Sequence, residues 1–213
     1  AASTFISVNS LPLIVAVILI LSGMLFKVGA VPFHMWVPDI YDGSSISTTL
    51  YLSAVPKLAA FAIFLRVLFS CFFDWHEIWR DALFIAAVMS VGLGNIIAIA
   101  QTRIKRMLAY STIAHMGFLL LGFATLSVDG ITASFFYAVI YSVSTMAIFG
   151  LIIFVGNSDS DFEEIINFSG LSKTQPWCAF LILITMLSLA GIPPTAGFFA
   201  KLLILQSLVD SGH

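Results

Sequence analysis

The sequence contains few charged residues. Asp, Glu, Lys and Arg together make up 9% of its 213 residues, whereas soluble globular domains contain about 25%. Apolar residues make up 60%, and the mean hydropathy is +1.07. This composition excludes an ordinary soluble domain and predicts an all-α, polytopic membrane protein. The nine basic and eleven acidic residues leave no basic surface for a nucleic acid, so we expect lipids and other membrane helices as partners.

Cysteines and cofactor motifs are scarce as well. Cys71 and Cys178 lie far apart, without the CxxC or Cys/His spacing of metal sites, so neither a metal site nor a disulfide is predicted. Gly92 and Gly94 form an isolated GxG in an apolar segment without a flanking strand, which is no dinucleotide site. Small residues there instead favour close helix packing. We expect no cofactor in this chain.

Targeting signals are also missing. No basic segment with a cleavage site precedes the first apolar run, and no Arg-rich amphipathic segment is present. The chain begins with AASTF, without an initiator Met, and ends soon after an apolar segment. We expect a processed or trimmed chain, or one piece of a split protein.

Long apolar segments dominate the remainder. About 20 apolar residues, at 1.5 Å per residue, cross the core of a bilayer. We interpret residues 1–213 as one membrane domain with six spans at about 11–41, 48–70, 81–100, 107–126, 130–156 and 176–208. The first and last spans are longer than one crossing requires and contain internal prolines, which predicts that both helices are broken.

The first span carries the most unusual charge. Lys27 lies near its middle, too far from either end to reach the headgroups, and Pro32 interrupts the helix soon afterwards. Irregular backbone at this depth is tolerated only inside protein or beside a water-filled cavity. We therefore interpret Lys27 as a transport residue. The alternative is a lysine that is neutralised by a structural carboxylate.

Two further lysines extend this pattern. Lys57 lies about 13 Å into the second span at 1.5 Å per residue, although its side chain could also extend toward the headgroups. Lys201 follows a predicted break at Gly191, Pro193 and Pro194 in the last span. Paired broken helices are typical of transporters.

No acidic residue is predicted inside any span. Burial disfavours the charged form of a lysine, and a nearby carboxylate favours it, so a moving carboxylate could load and release a proton at these lysines. We expect this acidic partner on another polypeptide or on a part of the protein outside this chain.

Two histidines are further candidates for a proton relay, His115 in the fourth span and His34 after the first break. A buried histidine can carry a proton, but a hydrogen bond between helices explains His115 equally well. The fifth span places hydroxyl groups on one stripe, which predicts either a polar lining or hydrogen bonds between helices. These residues are Tyr137, Tyr141, Ser144 and Thr145.

Basic residues indicate the orientation of the chain. Arg103, Lys105 and Arg106 lie in one connection, which by the positive-inside rule faces the cytoplasm or the mitochondrial matrix. The first span then runs from the outer to the inner side of the membrane.

Four motifs, in chain order, resemble the proton-translocating, antiporter-like membrane subunits of respiratory complex I. They are FKVGAVPFHMWVPDIYDG, SAVPKLAAFAIFLRV, QTRIKRMLAYSTIAHMGF and LAGIPPTAGFFAKL. The likeness covers nearly the whole chain. PDIYDG and GIPPTAGFFAK resemble the group called subunit 2, or subunit N in bacteria, more than subunits 4 and 5.

The resemblance implies a fold of fourteen helices with two inverted five-helix repeats, of which this chain is similar to helices seven to twelve. It implies that Lys27, Lys57 and Lys201 relay protons, and that a glutamate on helix five, outside this chain, is the partner of Lys27. NADH, FMN, iron–sulfur clusters and quinone would belong to partner subunits. The implied location is the mitochondrial inner membrane or, alternatively, the bacterial plasma membrane.

Two other interpretations remain open. A subunit of the multi-subunit Na+/H+ antiporter type shares the broken helices and the lysines. The second is a structural spacer of the membrane arm without its own relay. The three lysines weigh against it, because inserting each of them at the membrane centre costs at least about 2.5 kcal/mol.

Overall fold

The computed structural model describes residues 11–156 and 163–212. These residues form helices joined by short connections, and no strand occurs among them, so the all-α prediction is confirmed. In chain order the α-helices are α1 (Leu11–Val28), α2 (Trp36–Gly43), α3 (Ile46–Arg66), α4 (His76–Ile99), α5 (Ile104–Ala124), α6 (Val128–Val155), α7 (Leu171–Thr174), α8 (Pro176–Ala190) and α9 (Ala196–Asp210).

Four helical segments are long and apolar enough to cross a membrane without a break. They are Ile46–Cys71, Phe73–Ile99, Ile104–Ala124 and Val128–Val155. The two remaining apolar segments are split, the first into α1 and α2 and the last into α8 and α9. The chain is therefore a multi-pass membrane protein with discontinuous first and last crossings, as predicted.

Helix α5 lies at the centre of the bundle. Most of its side chains are buried, and α2, α4, α6 and α9 all pack against it. The third crossing begins earlier than the predicted 81–100, because the aromatic connection before it already turns as a helix from Phe73. Ser45 caps α3 by accepting a hydrogen bond from the Thr48 N–H, in the turn where a serine or threonine cap is favoured.

Glycines allow α4 and α5 to approach closely. A Cβ atom at Gly94 would lie 2.7 Å from the backbone nitrogen of Ala114, and one at Gly117 would meet the α4 backbone at 2.7 Å. At Gly92 the same atom would have no neighbour within 4 Å. Of the two glycines in the GxG, only Gly94 therefore serves the expected packing role.

Ion pairs join three connections at one end of the bundle. Arg103 donates to Asp42 at 2.7 Å and to Glu163 at 2.8 Å, and Arg106 donates to Asp39 at 2.8 Å. The Asp42 side chain is only 12% exposed. We call these five residues the clasp. It ties the end of α2 to the start of α5 and to the connection that follows α6.

Backbone hydrogen bonds reinforce the clasp. The N–H of Ile104 donates to the carbonyl of Glu163 at 2.9 Å, and the N–H of Ile165 donates to the carbonyl of Thr102 at 2.9 Å. Lys105, which is 5% exposed, donates from Nζ to the carbonyl of Ser44 at 3.1 Å. All the basic residues of this connection therefore bind neighbouring parts of the chain.

We predict that Gly94→Ala destabilises the bundle by about 1–3 kcal/mol, the usual cost of overpacking a tight core contact. The matched control is Gly92→Ala in the same helix, which should change stability much less because its added methyl group meets no neighbour. The midpoint of thermal unfolding in detergent measures both. Equal midpoints for the two variants would contradict the close approach of α4 and α5.

Candidate functional site

The first broken helix ends at a glycine. Gly29, directly after α1, has φ +82°. Its N–H donates to the carbonyl of Leu25 at 2.9 Å, and the N–H of Ala30 donates to the same oxygen at 3.0 Å. A left-handed glycine that closes a helix in this way is a common C-terminal cap. The backbone then leaves the helix, and the residues between α1 and α2, 29–35, form what we call the first break.

The last broken helix ends with the same geometry. Gly191, directly after α8, has φ +81°. Its N–H and that of Ile192 both donate to the carbonyl of Leu187 at 3.0 Å. Residues 191–195, between α8 and α9, form the second break. The two half-helices α1 and α8 therefore end in the same backbone motif.

Prolines lie inside both breaks, as predicted from the sequence. Pro32 follows Gly29 by three residues, and Pro194 follows Gly191 by three residues, with Pro193 directly before it. The peptide bonds before Pro32 and Pro194 are both cis.

Lys57 lies at the first break although it belongs to α3. Its Nζ donates a 2.5 Å hydrogen bond to the carbonyl of Val28, the last residue of α1. The last carbonyl groups of a helix have no donor within the helix and carry partial negative charge, and Lys57 provides that donor. Lys57 is only 4% exposed, and this hydrogen bond directs its side chain to the first break.

Lys201 binds the second break in the same way. Its Nζ donates to the carbonyl groups of Leu189 and Ala190, each at 3.0 Å. Gly191 provides the space, since a Cβ atom there would lie 2.9 Å from the Lys201 side chain. Each break therefore holds one ammonium group at the carboxyl end of its first half-helix.

An aromatic ring completes each lysine site. The Nζ atom of Lys57 lies 5.2 Å from the ring centre of Trp36, and that of Lys201 lies 5.2 Å from the ring centre of Phe118, within cation–π range. Trp36 is fixed by a 2.8 Å hydrogen bond to the carbonyl of Phe26. Every ion pair within residues 11–156 and 163–212 is formed by an arginine. Neither Lys57 nor Lys201 therefore has a carboxylate partner there.

Lys27 is placed differently from the other two lysines. It lies on the exposed side of α1, and within the described part of the chain no carboxylate pairs with it. Lys57 binds the carbonyl of Val28, the residue directly after Lys27. The structural carboxylate considered for Lys27 is thus not among the described residues.

His34 lies in the first break. It is 8% exposed, and its Nδ1 atom has no hydrogen-bond partner among the described residues. The structure therefore brings Lys27, Lys57 and His34 to the same break, without a bond from His34 to either lysine.

His115 forms a hydrogen bond between helices. Its Nδ1 atom and the Tyr137 hydroxyl group are 2.5 Å apart, and both side chains are buried. The Tyr141 hydroxyl group donates to Thr112 at 2.9 Å. Both tyrosines on the stripe of α6 therefore form hydrogen bonds to α5, as one of the two interpretations of that stripe predicted.

His115 and Lys201 line a common space. A cavity of about 10 Å³ is lined by both residues together with Tyr137 and Ser144, and this volume suits a single water molecule. A second cavity of about 360 Å³ lies beside the same two residues, between α4, α5 and α8. Lys201, His115 and Tyr137 therefore form one group, and the lysines of the first break form another.

Sequence reasoning missed Gly29, Trp36 and Phe118. A local signal for Gly29 exists, because GAVP at 29–32 and GIPP at 191–194 share glycine and proline at the same spacing. The two aromatic rings have no such signal, since each stacks on a lysine that comes from another helix.

Comparison with known sequences places this chain in one family. The family described as "NADH:quinone oxidoreductase/Mrp antiporter, TM" matches residues 2–213. NADH-quinone oxidoreductase subunit N of Thiobacillus denitrificans is 46% identical over 203 residues, which are 95% of this chain and 42% of that protein. Subunit N of Coxiella burnetii is 42% identical, with 95% of this chain and 42% of that protein covered. The chain thus spans less than half the length of these relatives.

Solved structures share the fold. A chain of respiratory complex I from Thermus thermophilus with bound aureothin is 33% identical, with a TM-score of 0.78 over 94% of this chain and 43% of that chain. A chain of the Mrp complex from Dietzia sp. is 27% identical, with a TM-score of 0.85 over 93% and 37% of the two chains. The antiporter-like architecture is therefore confirmed.

We predict that Lys201→Met destabilises the bundle by about 1–3 kcal/mol, because two carbonyl oxygens at the second break lose their donor. Lys173→Met is the control, since Lys173 is an exposed residue of α7 and its loss should have little effect. Thermal unfolding in detergent compares the two variants. A Lys201→Met protein as stable as the control would show that the ammonium group does not hold the break.

Proposed function

Because this chain belongs to the family of membrane subunits shared by NADH:quinone oxidoreductases and Mrp antiporters, we propose that it translocates protons as part of a subunit of the subunit N type. Its 46% identity to a subunit N exceeds its 27% identity to the Mrp chain. The driving reaction would be NADH:quinone oxidoreduction in other subunits of a respiratory complex I.

The observation that carries this proposal is the lysine bound at each helix break. A proton carrier has to exist in both charged and neutral forms without a large cost for either. At Lys57 and Lys201, backbone carbonyl groups and an aromatic ring stabilise the ammonium form, whereas burial opposes it. With no carboxylate beside these two lysines among the described residues, an approaching or departing charge would decide between the two forms.

Lys27 would be the first carrier in this scheme. Its exposed side of α1 is available to the rest of the subunit, since the chain covers only 42% of a full subunit N. A carboxylate on that remaining part would favour the ammonium form of Lys27 when near and release its proton when distant. Lys57, which binds the carbonyl of the residue after Lys27, would receive the proton, and His34 would be an intermediate at the same break.

Lys201 would pass the proton onward to the exit side of the membrane. His115 shares a cavity with it, and a buried imidazole can exchange a proton with a neighbouring group. Lys57 would pass the proton laterally from the first break toward the second.

The remaining components of the reaction would lie outside this chain. NADH, FMN, iron–sulfur clusters and quinone would be bound by partner subunits. The direct partners would be other membrane-arm subunits of complex I, including whichever chain holds the remaining helices and the glutamate, together with lipids.

The membrane in question would be the bacterial plasma membrane. The subunit N relatives named above come from bacteria, and they give no support to the mitochondrial inner membrane.

A cation/proton antiporter subunit of the multi-subunit Na+/H+ type is the second candidate. The observation in its favour is structural, since the chain of the Mrp complex superposes with the higher TM-score, 0.85 against 0.78. The two functions differ in their requirement for quinone and for sodium, which the experiment below separates.

We expect Lys27→Ala to lower coupled quinone reduction and proton transport by about a hundredfold, the low end of what a positioned proton-transfer group contributes. NADH-driven acidification of inverted membrane vesicles that contain the assembled complex measures both rates. The control is Lys173→Ala, at an exposed lysine of α7, which should retain both.

Assembly of each variant is checked by mass spectrometry of the purified complex. An assembled Lys27→Ala complex that pumps at the unmodified rate would refute the relay. Transport that needs sodium and proceeds without quinone would favour the antiporter.

A further inference from the structure

A cavity joins the second break to the basic end of the bundle. It lies between α4, α5 and α8 and has a volume of about 360 Å³. Lys201 and His115 line its deep end. Its shallow end is lined by Ile99, the last residue of α4, and by Met107, in the first turn of α5. None of the steps proposed above uses this space.

The cavity runs along one face of α5. Met107, Ser111 and His115 follow one another at four-residue intervals along it, and Phe118 lies beyond them. Residues at this spacing share a helical face. At 1.5 Å per residue, the stretch from Met107 to Phe118 extends over about 16 Å, which is half of a hydrocarbon core about 30 Å thick. The Nζ atom of Lys201 is 5.2 Å from the Phe118 ring centre, so the cavity reaches the depth of the second break.

Polar groups along the cavity are free to bind water. The Ser111 hydroxyl group has no hydrogen-bond partner among the described residues, whereas that of the adjacent Thr112 donates to the carbonyl of Leu108 at 2.9 Å. An ammonium group has three N–H donors, and Lys201 uses two of them at the second break. One water molecule needs about 10–15 Å³ and two to four polar partners, so the cavity can hold several.

The shallow end of the cavity lies at the connection between α4 and α5. Arg103 and Arg106, which pair with the carboxylates of the clasp, lie at this end of α5. Their side chains are each 39% exposed, which places this end at the surface of the described bundle. The basic residues here are also those that predict the cytoplasmic side of the membrane.

We infer that this cavity is a water-filled entry through which protons reach Lys201 from the side of the membrane that the basic connection faces. A water molecule that carries an extra proton gives it to the neutral amine of Lys201, so one O–H bond breaks as one N–H bond forms. Lys201 is then loaded from this side as well as by transfer from Lys57. The inference rests on the proposed function, in which Lys201 carries a proton.

The test measures which positions a water-soluble thiol reagent reaches in the assembled complex. Ser111→Cys and Met186→Cys place thiol groups along the cavity. Sulfonatoethyl methanethiosulfonate, an anionic reagent that does not cross membranes, is added to inverted or to right-side-out vesicles. Peptide mass spectrometry separates each introduced thiol from Cys71 and Cys178. Ala109→Cys is the matched control, because Ala109 is 0% exposed and lies nearer the basic end of α5 than Ser111, outside the cavity.

We expect Ser111→Cys and Met186→Cys to be labelled in inverted vesicles, whose outer surface is the cytoplasmic face, and not in right-side-out vesicles. Ala109→Cys should stay unlabelled in both. Ser111→Phe should fill the cavity, abolish the labelling of Met186→Cys and lower NADH-driven acidification severalfold. Ile96→Phe should change neither measurement, because Ile96 is 68% exposed on α4 and lies outside the cavity. If Ser111→Phe does not assemble, Ala98→Phe narrows the shallow end instead.

Four results would overturn the entry. Ser111→Cys and Met186→Cys could stay unlabelled in inverted vesicles, because lipid or the remainder of the subunit fills the cavity, or they could react only in right-side-out vesicles. Ala109→Cys could react as fast as Ser111→Cys, which would mean that this whole end of the bundle is open. Ser111→Phe could block labelling and leave acidification unchanged.

Lys27→Ala in the same vesicles separates the two proposals. A normal rate of acidification in that variant refutes the proposed function. A loss there, without labelling of Ser111→Cys, refutes only the entry.

Discussion

The structure depends on how the free carbonyl groups at two helix breaks are satisfied within an apolar bundle. In the core of a bilayer no water can bind a backbone carbonyl group that lacks its helical hydrogen bond, so the protein has to supply a donor. At both breaks that donor is a lysine ammonium group, from Lys57 to Val28 and from Lys201 to Leu189 and Ala190. The same hydrogen bond that satisfies the backbone also holds a titratable group inside the bundle. One contact therefore stabilises the break and positions the lysine.

Composition and proline positions were sufficient to predict the crossings and the two broken helices, because both features are local. The bonds at the breaks were not predictable in the same way. Lys27 precedes the first break in sequence, yet it is Lys57, 29 residues after Val28 in the chain, that binds there. The sequence pattern places Tyr137 and Tyr141 on one stripe of α6 but does not show which α5 side chains face that stripe. It therefore could not decide between a polar lining and hydrogen bonds between helices.

The clasp gives the broken first crossing a fixed end. Helix α2 is short, and it is separated from α1 by irregular backbone, yet Asp39 and Asp42 bind it to the start of α5 through Arg106 and Arg103. Because α5 is packed on several sides by other helices, this anchor rests on the most buried part of the bundle. The basic residues from which the orientation of the chain is predicted are therefore also the ones that position the second half of its first crossing.

The shared glycine at the two breaks has a consequence for how such sequences diverge. Gly191 leaves the room that the Lys201 side chain occupies, and a Cβ atom at Gly29 would lie 3.5 Å from the Nζ atom of Lys57 and 2.5 Å from the Val37 side chain. Only at the second break does the glycine leave room for the lysine itself, because the 3.5 Å contact at Gly29 is an ordinary van der Waals distance. Both glycines also have a positive φ, which a residue with a side chain rarely adopts. A lineage that replaces either lysine therefore still needs the glycine, whereas one that replaces Gly191 also disturbs Lys201.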